Sequence, residues 1–237
     1  MIRNRSLIPR ICESFYAENL TSALESIERV QYMGELRFDL SRLEVNDLNI
    51  IRNRFPKKPL IFTFRGNSES ALERLKVYER AVEQKFEFID LDITTDPEII
   101  SRLKPLLKTT TCKLIISYHN YTETPDFPTL RAILQEISQL NPDHIKIVTI
   151  AHHANDLESL KNLQSLIPSS LCFSMGEFAA QSRLQSLYGG APFTYVALQA
   201  NKQTAPGQLD FKEFQKLYLE FRGGKELKLA VLGNPIA

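Results

Sequence analysis

The sequence lacks an excess of charge of either sign. Lys and Arg number 29 and Asp and Glu 28, a net of +1. That balance gives no electrostatic case for nucleic acid or an anionic membrane surface, and no long block of like charge stands out. Cysteines are few, odd in number and far apart: Cys12, Cys112 and Cys172. No pair has zinc-ligand or redox-motif spacing. Cys112 and Cys172 sit in apolar runs and read as small core residues, and a reducing cytoplasm is the expected compartment. No apolar run reaches transmembrane length. The start, MIRNRSLIPRICESF, is basic but has no long apolar segment or small-residue cleavage site, so a signal peptide is not expected. Low-complexity tracts and Pro/Gly/Ser linkers are also missing. LYGGAP and FRGGKE match neither a P-loop nor a dinucleotide fingerprint and read as turns, as does TAPGQ.

What is present is alternation. The chain has 237 residues, 43% of them hydrophobic, enough for one large core. Strand-like apolar runs fall near 7–12, 33–38, 59–64, 86–91, 112–118, 143–149, 170–175 and 192–198. Helical segments follow them at 17–30, 44–54, 68–84, 96–107, 127–139, 155–166, 178–188 and 210–221. Leu20, Leu24 and Ile27 share one helical face, as do Leu157, Leu160, Leu163 and Leu166, with Asn155 and Asp156 as N-cap candidates. Eight strand–helix units predict parallel strands joined by right-handed crossovers. An open doubly wound sheet fits that pattern; a closed (β/α)₈ TIM barrel fits eight units in this length better.

In a barrel, alternate strand residues point inward and the active site lies at the strands' C-terminal ends. Parity then pairs Glu35 with Arg37, Thr63 with Arg65, Asp90 with Asp92, Ser117 with His119, and His144 with Lys146. Polar groups inside apolar strands need partners, so five consecutive strands of this kind predict a polar constellation at one pole. Lys146, embedded in HIKIV, reads either as a structural lysine that snorkels or pairs with Glu35, or as an amine kept near neutrality to attack a carbonyl. His119 alone reads as a structural histidine. Beside such a lysine it describes imine formation with proton transfer. His152 and His153 with Cys172 lack the spacing of a metal site, and no metal is expected.

The ordered stretches ELRFD (35–39), FTFR (62–65), SYHNY (117–121), TP (124–125), HIKI (144–147), SMG (174–176), SR (182–183) and APGQ (205–208) resemble the signatures of type I 3-dehydroquinate dehydratase over residues 8 to 221. The resemblance implies a (β/α)₈ barrel that converts 3-dehydroquinate to 3-dehydroshikimate in the shikimate pathway, without cofactor. It implies Lys146 as the Schiff-base lysine and His119 as the acid/base. Glu35 and Arg37 would stand at the substrate hydroxyls and the lysine, Arg65 in the pocket and Arg183 at the substrate carboxylate. Met175 would line the pocket and Gln208 the closing loop. Asp92 stands where the family has a glutamate behind the histidine. Thr204 stands where a serine is expected, and Glu13 and Ser14 replace a more apolar or small run.

Two other readings remain: another Schiff-base lyase such as a class I aldolase, or a catalytically silent barrel used as a scaffold. The expected organisation is one barrel over 1–226. LKLAVLGNPIA (227–237) then reads as a terminal strand or as the start of a fused domain resembling shikimate dehydrogenase. A homodimer and a fused or partner shikimate dehydrogenase are the assemblies left open. Nucleic acid and membrane are not expected partners.

Overall fold

The computed structural model describes residues 10–65, 70–95 and 97–222. Strands and helices alternate: β1 (Ile11–Phe15), α1 (Leu20–Arg29), β2 (Met33–Arg37), α2 (Asp47–Arg54), β3 (Leu60–Thr63), α3 (Ala71–Glu83), β4 (Phe88–Asp92), α4 (Pro97–Lys108), β5 (Lys113–His119), α5 (Phe127–Gln139), β6 (His144–Ile150), α6 (Ala154–Leu166), β7 (Leu171–Met175), α7 (Ala179–Gly189), β8 (Thr194–Ala197) and α8 (Phe211–Arg222). The strands lie in the order β7-β6-β5-β4-β3-β2-β1-β8, each paired parallel to its neighbour. This is the (β/α)₈ barrel, nearly closed. Rings of Phe173 on β7 and Tyr195 on β8, 6.0 Å apart, meet across the two end strands.

Local sequence fixes the helix starts. Asn19 and Ser22 form a reciprocal cap on α1, Ser70 and Glu73 do the same on α3, and Asp126 accepts from the Thr129 amide ahead of α5. Helix α6 begins at Ala154, a residue earlier than expected, and neither Asn155 nor Asp156 is its N-cap. Asp156 instead lies inside the first turn. Its carboxylate reaches back to the amides of His152 and His153 at 2.8 and 3.0 Å.

The first strand is the main correction. It runs over Ile11–Phe15 rather than 7–12, and residues 1–9 lie outside the described set. Its ICESF sequence hides alternation: Ile11 and Phe15 pack toward the helices, whereas Cys12 packs inside the barrel. Glu13, on the helix side, is buried because its carboxylate accepts the Gln31 amide at 2.6 Å.

Two apolar layers follow from this parity. Inside the barrel, Cys12, Met33, Ile61, Phe88, Ile115 and Leu171 fill the lower part. Between barrel and helices lies the larger layer, with an aromatic knot around Phe62: Phe38, Tyr78 and Phe86 have ring centroids 5.3, 5.7 and 5.5 Å from it. Phe62→Ala should cost about 3–5 kcal/mol through lost burial and the cavity left behind. Chemical denaturation reads this as a lower midpoint. An unchanged midpoint would show that the knot does not carry the β3–α3 packing.

Candidate active site

Strand C-terminal ends meet around a cavity of about 160 Å³. Lys146 sits on its wall, 4% exposed, its side chain rising from the middle of β6. Its Nζ donates to Asp90 Oδ2 at 2.7 Å, lies 3.6 Å from Glu35 Oε1, and stands 4.1 Å from the centre of the Tyr195 ring. Register explains the convergence. Thr63 pairs with Asp90 and Ser117 with Lys146, so the inward residues of β3 to β6 form a spiral of neighbours.

Both carboxylates are held by further donors. Glu35 accepts from the hydroxyls of Ser14 at 2.6 Å and Thr63 at 2.9 Å. Asp90 accepts from the Ser117 hydroxyl at 2.5 Å and from Arg65 at 3.3 Å. Burial drives both carboxyl pKa values up; Lys146 and the arginines outweigh it, Arg37 and Arg65 at Glu35 and Arg65 at Asp90, and both end below their ordinary values.

His119 ends β5 on the same wall, and its Nδ1 lies 2.8 Å from Asp92 Oδ2. The shorter carboxylate therefore reaches the imidazole directly. Its other oxygen is fixed by the amide and hydroxyl of Thr94, at 3.1 and 2.9 Å. A carboxylate at Nδ1 selects the tautomer protonated there and leaves Nε2 with a free lone pair. Burial, then Arg65 and Lys146, push the His119 pKa well below its ordinary value, so the ring is neutral at pH 7. Asp92 is itself raised by burial, against the two Thr94 hydrogen bonds. The Tyr121 ring stacks on His119 at 6.0 Å.

Arg183 enters from α7, 2% exposed, with Nη1 donating to the carbonyls of Ser174 and Ala179. Its Nε and that of Arg65 are buried without a hydrogen-bond partner among the described residues. Burial lowers the Arg183 pKa to about 10. Arg37 forks onto Asp39 at 3.0 and 2.6 Å and also donates to the Thr204 carbonyl. Gln208 Oε1 accepts from the amide and hydroxyl of Thr204, so both residues belong to one turn at the rim.

Of the nine residues expected at the site, eight line the cavity: Glu35, Arg37, Arg65, His119, Lys146, Met175, Arg183 and Gln208. Asp92 stands behind His119. Residues not assigned a role from the sequence are Asp90, Ser14 and Tyr195. Parity had placed Asp90 inward beside Asp92; no motif gave it a function. His152 and His153 lie apart from this cluster, with His152 bonded to the Thr122 carbonyl and Cys172 buried in the outer core. Among the described residues, no group of three or more His, Cys, Asp or Glu could hold a metal ion.

A parallel (β/α)₈ barrel with a buried lysine, a carboxylate-backed histidine and arginines at its C-terminal pole has the form of an enzyme. A family profile for Type I 3-dehydroquinase matches residues 11–225. A 3-dehydroquinate dehydratase from Thermococcus onnurineus is 32% identical over 208 residues, covering 84% of this chain and 93% of that one. One from Dehalococcoides mccartyi is 28% identical, covering 89% and 95%. The crystal structure of the Geobacillus kaustophilus 3-dehydroquinate dehydratase shares the fold with a TM-score of 0.81 at 20% identity, covering 92% of this chain and 93% of that one. The dehydroquinate dehydratase and shikimate dehydrogenase of S. pombe aligns at a TM-score of 0.75 and 21% identity, over 94% of this chain and 46% of that one. The chain belongs to the type I 3-dehydroquinase family, the hydro-lyases that dehydrate 3-dehydroquinate in the shikimate pathway.

The rim turn supplies a test. Gly207 has φ +71°, and a Cβ there would lie 2.0 Å from the Gly176 carbonyl oxygen. The Gly176 amide donates to the Pro206 carbonyl, which latches the turn to the end of β7. Gly207→Ala must lift Thr204 and Gln208 away from the cavity. Misplacing a positioning group by an ångström costs about 10²-fold in rate. kcat/KM should fall by that order at a temperature where the variant is still fully folded; unaltered kinetics would show that the turn does not position substrate.

Proposed function

We propose that this chain dehydrates 3-dehydroquinate to 3-dehydroshikimate through an imine on Lys146. The observation that carries the reading is the pairing, in one cavity, of a buried lysine with a histidine whose Nδ1 is held by a carboxylate. Lys146 gives up a proton and attacks the C3 ketone as the amine, and the carbinolamine takes a proton back as it loses water to leave an iminium. The iminium acidifies the C2–H, and His119 Nε2 removes that proton to give an enamine. The enamine expels the C1 hydroxyl, protonated by His119, and hydrolysis of the conjugated imine releases product.

The other residues have positional roles in this reading. Arg183 receives the substrate carboxylate, for which its unpartnered Nε is available, and a planar fork suits that group better than an ammonium. Glu35, Arg37 and Arg65 orient the hydroxyl face, Met175 packs against the ring, and Gln208 closes the rim. Asp92 fixes the His119 tautomer and steadies the imidazolium formed after proton abstraction. We place the activity in the cytoplasm; no described helix is long and apolar enough to cross a membrane. A link to shikimate dehydrogenase, fused or as a partner, rests on the likeness to the S. pombe protein and on residues 227–237, which lie outside the described set.

Incubation with 3-dehydroquinate should give the ultraviolet absorbance of a conjugated enoate. Carbon–carbon cleavage instead would indicate an aldolase, and no reaction a scaffold. His119→Ala should lower turnover by about 10²–10⁴-fold, the usual contribution of a general acid/base; near-normal turnover would assign the proton transfer elsewhere.

The pH–rate profile tests Asp92. His119 works as the neutral base, so activity falls as the ring takes up a proton. Its lowered pKa puts that acid limb below the ordinary histidine range. Asp92→Asn removes a negative charge from Nδ1, disfavours the imidazolium and should move the limb further to acid, with lower turnover. A loss of stability with turnover and limb unchanged would make Asp92 a scaffold residue.

A further inference from the structure

One buried carboxylate has no part in the scheme above. Asp90 is fully buried in the middle of β4. Its Oδ2 receives Lys146 Nζ at 2.7 Å and Arg65 Nη2 at 3.3 Å, and its Oδ1 receives the Ser117 hydroxyl. Glu35, the carboxylate the resemblance sets at the lysine, stands farther from the amine, at 3.6 Å, with its oxygens occupied by Ser14 and Thr63. Asp90 and Asp92 lie two residues apart on the same strand face. One strand therefore sets one carboxylate against the reacting nitrogen and the other against the imidazole.

We infer that Asp90 is a further catalytic residue, the counter-ion of the reacting nitrogen, and that Asp90 and Asp92 are the two resting places of the positive charge during dehydration. The inference rests on the Schiff-base reading. Ammonium plus ketone becomes iminium plus water, so the nitrogen carries one positive charge before and after, beside Asp90. When His119 takes the C2 proton, the C–H electron pair becomes the C2–C3 double bond and the C=N pair returns to nitrogen. The nitrogen is then neutral, and the charge stands on the imidazolium beside Asp92. Expulsion of the C1 hydroxyl reverses this: His119 gives its proton to the departing oxygen as water, and the nitrogen is again an iminium beside Asp90. No further reactant is needed. Three donors fix Asp90 in advance, so the carboxylate need not reorient as charge develops. Burial raises its pKa, but Lys146 and Arg65 outweigh that and hold it well below the ordinary range, so it stays ionised throughout.

Borohydride reduces the iminium and not the enamine, so the steady-state fraction of chain trapped at Lys146 reads where the charge rests. Asp90→Asn should lower kcat by about 10–100-fold, the loss of one hydrogen bond to a charged group, and should lower the trapped fraction. Asp92→Asn should also lower kcat but raise the trapped fraction. Wild-type turnover and trapping in Asp90→Asn, or a shift in the same direction as Asp92→Asn, would overturn the assignment. Because the isosteric variant removes a buried partner of two cations, Asp90→Ala assayed with formate is the second arm. A small carboxylate should restore turnover and trapping where chloride does not; equal behaviour in the two salts would count against a counter-ion. If wild type is not trapped at Lys146 at all, the Schiff-base reading falls with it. If wild type is trapped and Asp90→Asn matches it, only the role of Asp90 falls.

Discussion

The ion cluster inside the barrel is the constraint around which the rest is built. Lys146 and Arg65 face Glu35 and Asp90 in a space with almost no solvent contact. Removing each ion from water costs several kcal/mol, recovered only if every charge has a close partner and the leftover lone pairs are satisfied. Ser14, Thr63 and Ser117 supply those last bonds. Two cations against two carboxylates make the cluster neutral. At His119 burial acts first and Arg65 and Lys146 outweigh Asp90, so the ring stays neutral even with Asp92 at its Nδ1. The neutrality of the base and the burial of the amine are thus one electrostatic arrangement.

A parallel barrel can assemble such a cluster because its geometry is set by hydrogen-bonded register. Each polar residue occupies an inward position one strand over from the next, at the pole where the chains leave for their helices. Below it, Cys12, Met33, Ile61, Phe88 and Ile115 plug the barrel. Outside it, the Phe62 knot fixes β3 and β4 against α3. The apolar layers thus set where the polar pole can stand.

Much of this was legible in the sequence. Alternation of apolar runs with helical periods specified eight βα units, and strand parity brought Glu35, Thr63, Asp90, Ser117 and Lys146 to one face. The first strand was misplaced because Glu13 and Ser14 break an apolar run that only the folded packing completes: Gln31 satisfies one and Glu35 the other. The partner of Lys146 was not legible either. Glu35 and Asp90 both point inward, and only the register of β2 to β6 brings one to 2.7 Å and leaves the other at 3.6 Å. The reach of Asp92 likewise depends on how closely β4 and β5 approach at their ends, where it pairs in register with Ser117. Sequence spacing does not encode that separation.

The central claim is that Lys146 is the covalent centre of this cluster. A crystal structure of the chain reduced with borohydride in the presence of 3-dehydroquinate tests it most directly. The account predicts continuous density from Lys146 Nζ to the substrate-derived C3, the substrate carboxylate on Arg183, and Asp90 still within hydrogen-bond distance of that nitrogen. A ligand bound without a covalent link, or linked to any other residue, would contradict it.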